Sequence, residues 1–364
     1  MQKIRIAILC GGQSAEHEIS IRSARNIINA LDKNRFDIHI ISIDKKGEWH
    51  LENSLQTLLM DNQSGENLGL LPGKKNELFV DATQHKTLPE IDVVFPVLHG
   101  PQGEDGTVQG LLKLANIPFV GSDVLGSAIC MDKDVSKRLM RDAGLPISQF
   151  LVYHRKEKAS IQFSTLVKQL GLPFFVKPAN LGSSIGISKV ANEHAFEKAI
   201  DLAFTYDHKI IIEEYIQSRE IECSILGNED PIASIPGEIV PHLEFYSYEA
   251  KYLNDQGASM KIPADLPQDG IKYIQELSIK AFEILGCSGM ARVDFFYTPN
   301  HKIYINEINT IPGFTNTSMY PQLWEASGIS YAALIERLIQ LAFEKFEQQQ
   351  SLKTYLELPI HQPS

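Results

Sequence analysis

Basic residues are in short supply. The chain has 34 Lys and Arg against 45 Asp and Glu, a formal net charge of −11. With no long basic run, it is not expected to bind nucleic acid. A chain of this charge that handles a polyanion needs local cations: a metal and a few placed Lys and Arg. Cysteine is scarce too. Cys10, Cys130, Cys223 and Cys287 lie far apart in apolar contexts and form no C-x-x-C pair. They read as reduced core thiols in a reducing cytosol, not as ligands or nucleophiles. No apolar run approaches 18 residues, so no membrane span is expected. The run Ile6 to Cys10 stops at Gly11-Gly12 and is too short for a signal peptide. There is no internal repeat and no low-complexity tract.

What is present suits a soluble globular protein of two or three domains. The chain has 364 residues, 43% hydrophobic and 22% charged. Residues 1–121 alternate strand and helix patterns, which predicts a parallel α/β sheet. The expected elements are strands Ile4 to Cys10, Phe36 to Ile43 and Val93 to Leu98, and helices Ile19 to Leu31 and Thr107 to Asn116, with Thr107 as cap. Asn62 to Pro89 reads as loop and short hairpin. Residues 122–213 read as a smaller α+β lobe. Residues 214–364 read as an antiparallel lobe closed by a helix from Tyr331 to Gln348. In parallel sheets ligands sit beyond the carboxyl ends of strands, here Gly11 to Glu18 and His99 to Gly106.

The most informative stretch runs from Arg292 to Asn309. It reads as a hairpin, with Thr298-Pro299-Asn300-His301 as its turn. A four-residue turn pairs Tyr297 with Lys302 and sets Arg292 opposite Glu307 and Asp294 opposite Ile305. Alternation then puts Arg292, Asp294, Glu307 and Asn309 on one face, with Asp294 and Glu307 as diagonal neighbours roughly 7–8 Å apart. Two carboxylates and an amide oxygen suit a hard cation such as Mg²⁺. An Arg–Glu cross-strand pair with a solvated Asp and Asn is the plainer alternative.

Other segments are weaker one by one. Lys177 to Gly186 contains Gly182-Ser183-Ser184 between two strands, where small residues let backbone N–H groups approach phosphate. It lacks the Gly-Lys-Ser/Thr ending of a Walker A loop, and a flexible hairpin loop fits it equally well. Ile210 to Ile216 is a strand running into Glu213-Glu214, with Glu220 beyond. It could hold adenine by backbone and ribose by Glu220, or be a buried strand with a solvated acidic end. Gly11-Gly12 lacks the G-x-G-x-x-G spacing. Glu16 offers a carboxylate to a substrate ammonium, or is a surface-helix Glu. Glu249-Ala250-Lys251-Tyr252 lies in a long aromatic and acidic loop of the kind that forms lids. Pro312 to Met319 is rich in donors suited to a carboxylate.

Taken together, these segments resemble the D-alanine–D-alanine ligases of the ATP-grasp superfamily. The resemblance extends from Gly11-Gly12 to Pro321. It rests on eight motifs in the family's order: Ser14-Ala15-Glu16-His17-Glu18, Leu98-His99-Gly100, Gly103 to Thr107, Met131-Asp132-Lys133, Val176-Lys177-Pro178, Gly182-Ser183-Ser184, Glu249 to Tyr252, and Glu307-Ile308-Asn309-Thr310 followed by Pro312-Gly313. It implies an ATP-grasp fold: an N-terminal parallel-sheet α/β domain plus two lobes that sandwich ATP. It also implies ATP-driven ligation of two D-alanines through a D-alanyl phosphate, in peptidoglycan precursor synthesis.

By that resemblance Asp294, Glu307 and Asn309 hold two Mg²⁺, with Mn²⁺ as a substitute. Lys133 and Lys177 contact the nucleotide phosphates, and Ser183 and Ser184 belong to the loop that covers them. Glu213, Glu214 and Ile216 hold adenine and Glu220 the ribose. Glu16 binds the first D-alanine's ammonium, linked to Ser183 and Tyr252, with His99 nearby. Arg292 and the backbone at Gly313 stabilise the oxyanion. Lys251, Ser318 and Met319 hold the second substrate's carboxylate. A cytoplasmic homodimer inhibited by D-cycloserine is implied as well. Glu214 stands where members often carry Lys, Met319 where Leu is common, and Asn180-Leu181 where the pair is more polar. Tyr252 matches the dipeptide-forming members, so D-lactate is expected to be a poor second substrate.

Another ATP-grasp carboxylate–amine ligase shares the metal hairpin and the lysines. Glu16, Tyr252 and Ser318 favour D-alanine over that alternative. A non-catalytic nucleotide-binding protein would lack a metal ligand or a phosphate lysine, and none is missing. A Rossmann oxidoreductase has only Gly11-Gly12 in its favour.

Overall fold

A computed structural model describes residues 3–59, 65–71, 79–81, 90–241 and 258–353. Three sheets organise them. The first has the order β5-β4-β3-β2-β1-β6. Its strands are β1 (Ile4–Gly11), β2 (Phe36–Ile43), β3 (Trp49–Glu52), β4 (Glu66–Leu70), β5 (Phe79–Asp81) and β6 (Val93–Pro96). Strands β2, β1 and β6 run parallel, as the alternating pattern predicts. The sheet is mixed, however, because β3, β4 and β5 extend it antiparallel. Ile6 to Cys10 are fully buried because helices cover both faces of this central strand. Helix α1 (His17–Ala30) sends Ser20, Ala24, Ile27 and Ile28 inward at helical spacing. After α2 (Leu55–Leu59) comes α3 (Thr107–Leu114), whose N-cap is Gly106, in a left-handed conformation, one residue before the expected Thr107. Asp105 Oδ1 accepts from Thr107 N at the start of the helix.

Helices α4 (Val124–Met131) and α5 (Lys133–Asp142) lead to the second sheet. Asp132 caps α5 by accepting from Asp134 N and Val135 N. The sheet order is β7-β10-β8-β9, from β7 (Phe150–His154), β8 (Phe174–Pro178), β9 (Ser188–Val190) and β10 (Lys209–Glu214). Helices α6 (Phe163–Leu170) and α7 (Glu193–Tyr206) cover one face, packing on Phe174, Val176, Ile210 and Ile212. Period-two alternation leaves Phe175, Lys177, Ile211 and Glu213 on the other face.

The third sheet has the order β14-β13-β11-β15-β16, with β12 paired to β11. Its strands are β11 (Arg219–Gly227), β12 (Ile232–Ala233), β13 (Gly237–Pro241), β14 (Ala258–Lys261), β15 (Gly289–Tyr297) and β16 (Ile303–Asn309). Helix α8 (Gln268–Ile284) covers one face through Ile274, Leu277, Ala281 and Phe282, against Ile221, Ile225, Val293, Phe295 and Ile305. The opposite face carries Glu220, Glu222, Arg292, Asp294, Glu307 and Asn309. Two helices finish the described chain, α9 (Met319–Ala326) and α10 (Tyr331–Ser351). Helix α10 returns to the first sheet, where Leu334, Ile335 and Leu338 share one apolar cluster with β1, β6 and α1. All four cysteines are buried and free, as their apolar contexts predict.

Candidate functional site

The hairpin forms, but in a different register. Tyr297 pairs with Ile303, not Lys302, and a shift between Asp294 and Phe295 leaves Asn306 unpaired. This bulge places Asp294 directly opposite Glu307 and Arg292 opposite Asn309. Without it, strict alternation would put Glu307 and Asn309 on the apolar face with Ile303 and Ile305. The extra residue turns them to the polar face, as bulges beside functional sites do. Asp294 and Glu307 are therefore nearest cross-strand neighbours, with Cβ atoms about 4.5–5.5 Å apart, rather than diagonal ones.

The acids on this face are partly compensated. Arg292 donates from Nε and Nη2 to the two oxygens of Asp294, at 2.7 and 2.8 Å. Its Nε also stands 2.9 Å from Glu222 Oε2. Burial opposes the Arg292 charge, but Asp294 and Glu222 overcome it and hold the guanidinium well above its ordinary value. Asn309 Nδ2 donates to Asp294 Oδ2 at 3.0 Å. Lys133 Nζ lies 3.5 Å from Glu307 Oε2 and donates to Leu181 O at 2.5 Å. Lys133 thus links the hairpin to the glycine- and serine-rich loop after β8. The oxygen-rich set of Asp294, Glu307 and Asn309 fits a hard divalent cation.

The second sheet presents the opposite sign. Glu213 is 1% exposed and accepts from Lys177 Nζ at 2.5 Å. Lys137 Nζ lies 2.6 Å from its other oxygen, to which Ser148 Oγ also donates. Burial works against the Glu213 charge, but Lys137 and Lys177 hold its carboxyl far below the usual carboxylate range. Its side chain is thus committed to the lysines, leaving only backbone for a base. Lys137 was not foreseen, although its position one helical turn after Lys133 was a readable signal. Glu214 also turns away, its Oε1 accepting from Gln149 N at 2.6 Å. A cavity of about 510 Å³ at the β10–β11 link is lined by Glu214, Tyr215, Ile216, Gln217 and Tyr304, among others. Glu220 lies on the same face as Asp294, paired with Phe296.

The loop after β8 is held in an unusual backbone. Ser183 and Ser184 have φ of 54° and 60°, a left-handed conformation that costs free energy and clusters at ligand sites. Ser183 Oγ donates to Glu16 Oε1, joining this loop to the turn after β1. Glu16 is buried, not a surface-helix residue. Gly100 comes so close that an added Cβ would stand 2.7 Å from Ser14 Oγ. His99 is 5% exposed; its Nδ1 meets Ile311 O at 3.1 Å and its Nε2 has no hydrogen-bond partner among the described residues. Burial is the main reason its imidazole is held below the ordinary value, hence neutral at pH 7.

Glu104 is a second residue missed as a site group, although it lies inside the Gly103 to Thr107 motif. It accepts from Gly100 N at 2.7 Å. Burial, then the charge of Glu16, pushes its carboxyl up to about 8. At the far end Gly313 packs on Ser318, whose Oγ accepts from Thr315 N at 3.1 Å. Ser318 is the N-cap of α9, so the Met319 backbone opens a helix N-terminus, which favours a carboxylate. The Met319 side chain faces away into a cluster with Ile239 and Leu323. Lys251 and Tyr252, with the expected lid, lie outside the described residues.

Among the described residues no helix is long and apolar enough to cross a membrane. Two family models match the chain, "D-ala D-ala ligase N-terminus" over residues 5–122 and "D-ala D-ala ligase C-terminus" over residues 139–340. D-alanine–D-alanine ligase A of Salmonella typhimurium is 51% identical, over 97% of this chain and 100% of its own length. The solved D-alanine-D-alanine ligase from Coxiella burnetii superposes with a TM-score of 0.87 at 41% identity, covering 96% of this chain and 97% of its own. The VanG D-Ala:D-Ser ligase from Enterococcus faecalis superposes at 0.85 with 36% identity, covering 94% and 100%. With both family halves matched in order and the ATP-grasp architecture shared with its structural neighbours, the chain belongs to the D-alanine–D-alanine ligase family.

Proposed function

We propose that this chain joins two D-alanines into D-alanyl-D-alanine, driven by ATP. The observation that carries the reading is the convergence of three sheets on one space. Ser183 binds Glu16, and Lys133 spans from Glu307 to Leu181. One carboxylate for an ammonium, lysines for phosphates and an acidic face for cations then border a single cleft. The γ-phosphoryl group of ATP passes to the carboxylate of the first D-alanine. The amine of the second attacks the acyl carbon of the D-alanyl phosphate, and inorganic phosphate leaves.

In this reading Glu16 holds the first ammonium and Ser183 keeps Glu16 oriented. His99, neutral and with no hydrogen bond to Nε2 among the described residues, offers a polar contact to that substrate. Lys133 and Lys177 neutralise phosphate charge, and Ser183 and Ser184 cover it. Phosphoryl transfer depends on such positioning and charge placement. Two Mg²⁺, or Mn²⁺ in their place, on Asp294, Glu307 and Asn309 supply further charge neutralisation at the phosphates. Arg292, with the backbone at Gly313, stabilises the oxyanion when the second amine attacks. The backbone of Glu213, Glu214 and Ile216 takes adenine and Glu220 the ribose. Lys251, Ser318 and Met319 take the second carboxylate, and Tyr252 is linked with Ser183 to Glu16. Residues 1–121, 122–213 and 214–364 serve as the three domains, in a cytoplasmic homodimer that feeds peptidoglycan synthesis.

The test is ADP release with Mg²⁺ and ATP, comparing D-alanine, L-alanine, and D-alanine with D-lactate or D-serine. ADP release that requires D-alanine, with the dipeptide as product, is the expected result. Turnover only with another amino acid would replace D-alanine on the same frame. Tyr252→Phe should raise the use of D-lactate.

A further inference from the structure

A second group of metal-ligating side chains lies outside the cleft, at the turn from β2 to β3. Asp44, Glu48 and His50 each offer a ligand atom, and these atoms lie within 4.8 Å of one another. The turn is built to hold the acid. Asp44 Oδ1 accepts from Lys46 N and Glu48 N, both at 2.8 Å, and its Oδ2 faces His50 Nε2 at 3.7 Å. That last gap is too long for a hydrogen bond. His50 is 4% exposed, and among the described residues neither ring nitrogen has a hydrogen-bond partner. A buried imidazole is expected to be paired, and an orphan is costly. Glu48 is exposed and can swing toward the other two.

We propose that Asp44, Glu48 and His50 form a binding site for a first-row divalent cation of the Zn²⁺ class, separate from the catalytic metals. One imidazole nitrogen and two carboxylates make a mixed donor set. Mg²⁺ prefers all-oxygen shells, whereas imidazole suits Zn²⁺, Co²⁺ and Ni²⁺. Three protein ligands leave a fourth tetrahedral position for water. The ion replaces the long 3.7 Å contact between His50 and Asp44 with direct bonds to both, and ties β2 to β3. The same turn supports the loop that carries Glu16: an added Cβ on Gly47 would touch the Gln13 amide at 3.1 Å, and Lys45 pairs with Glu18 at 2.9 Å. Binding should therefore stiffen the rim of the first-substrate site without entering it.

The experiment is equilibrium dialysis of the chelator-stripped full chain against Zn²⁺ in excess Mg²⁺, for wild type, Glu48→Gln, His50→Gln and Asp294→Asn. Glu48 is at the surface, so its variant should fold and release ADP normally. The expected result is roughly one Zn²⁺ per chain that Glu48→Gln and His50→Gln lose and Asp294→Asn keeps. With Co²⁺ in place of Zn²⁺, a visible absorption band should appear in wild type and be absent in His50→Gln. Zn²⁺ uptake that is equal in wild type and Glu48→Gln, or that Asp294→Asn abolishes, would overturn the proposal. So would no uptake at all, which would leave His50 and Asp44 as a simple side-chain contact.

Discussion

The second and third sheets solve the same problem with opposite signs. Each buries one face under helices and turns a charged face toward the cleft. On the second sheet one carboxylate, Glu213, is flanked by two ammonium groups, Lys137 and Lys177. On the third, three carboxylates, Glu222, Asp294 and Glu307, share Arg292 and the more distant Lys133. One cluster has positive charge in excess and the other has negative. In the proposed reading a nucleotide with its cations is complementary to both at once, phosphates toward the lysines and metals toward the acids. That is how a chain of net charge −11 can hold a polyanion.

The contrast can be broken first at its most buried charge. Glu213→Gln leaves Lys137 and Lys177 without their carboxylate, and removing one partner of a buried pair costs about 3–5 kcal/mol. Urea unfolding should show that loss, and an effect at the level of a surface ion pair would mean the cluster is solvated. The sign with pH follows. The folded state holds Glu213 below its ordinary value of 4.5, so its contribution is complete above that pH and is lost as pH falls below it. The variant should therefore lose less stability on acidification than wild type.

On the acidic face, Asp294→Asn should leave the fold intact but lower kcat by about 10²–10³-fold, the usual cost of removing one electrostatic stabiliser. ADP release at saturating ATP and D-alanine reads this. Activity within a few-fold of wild type would remove Asp294 from the site.

A subtler test lies between the sheets, at Glu104. Its carboxyl is neutral below about pH 8 and gains a charge beside Glu16 above it. The plot of kcat/KM for D-alanine should turn down near pH 8, by roughly ten-fold per pH unit beyond it. Glu104→Gln should remove that limb. The smallest effect belongs to Met319→Leu, a volume-conserving swap in an apolar cluster that should cost under about 1.5 kcal/mol. Thermal unfolding and the KM for the second D-alanine would check it, with KM unchanged because only the Met319 backbone faces the site.

Much was legible because local patterns and motif order carry far. Strand Phe36–Ile43 and helices Lys133–Asp142 and Glu193–Tyr206 start and stop where propensity and capping place them. The eight ordered motifs were enough to indicate the family and its ATP-grasp architecture. Helix Gln268–Ile284 also carries legible apolar periodicity, although no element was expected there.

Other features depend on atoms distant in sequence. The unpaired Asn306 has no local signature, yet it decides that Glu307 and Asn309 face the cleft. Gly106 rather than Thr107 caps α3, because only the three-dimensional turn shows which residue has positive φ. Lys137 and Glu213 are 76 positions apart, and only packing brings them to 2.6 Å. Glu16 and Ser183 meet across 167 positions. The sequence by itself determined the element types, the family and the donor groups available. Tertiary structure decided which carboxylates are neutralised, which are raised and which are left to bind, because those outcomes depend on burial and on charges that no local pattern brings together.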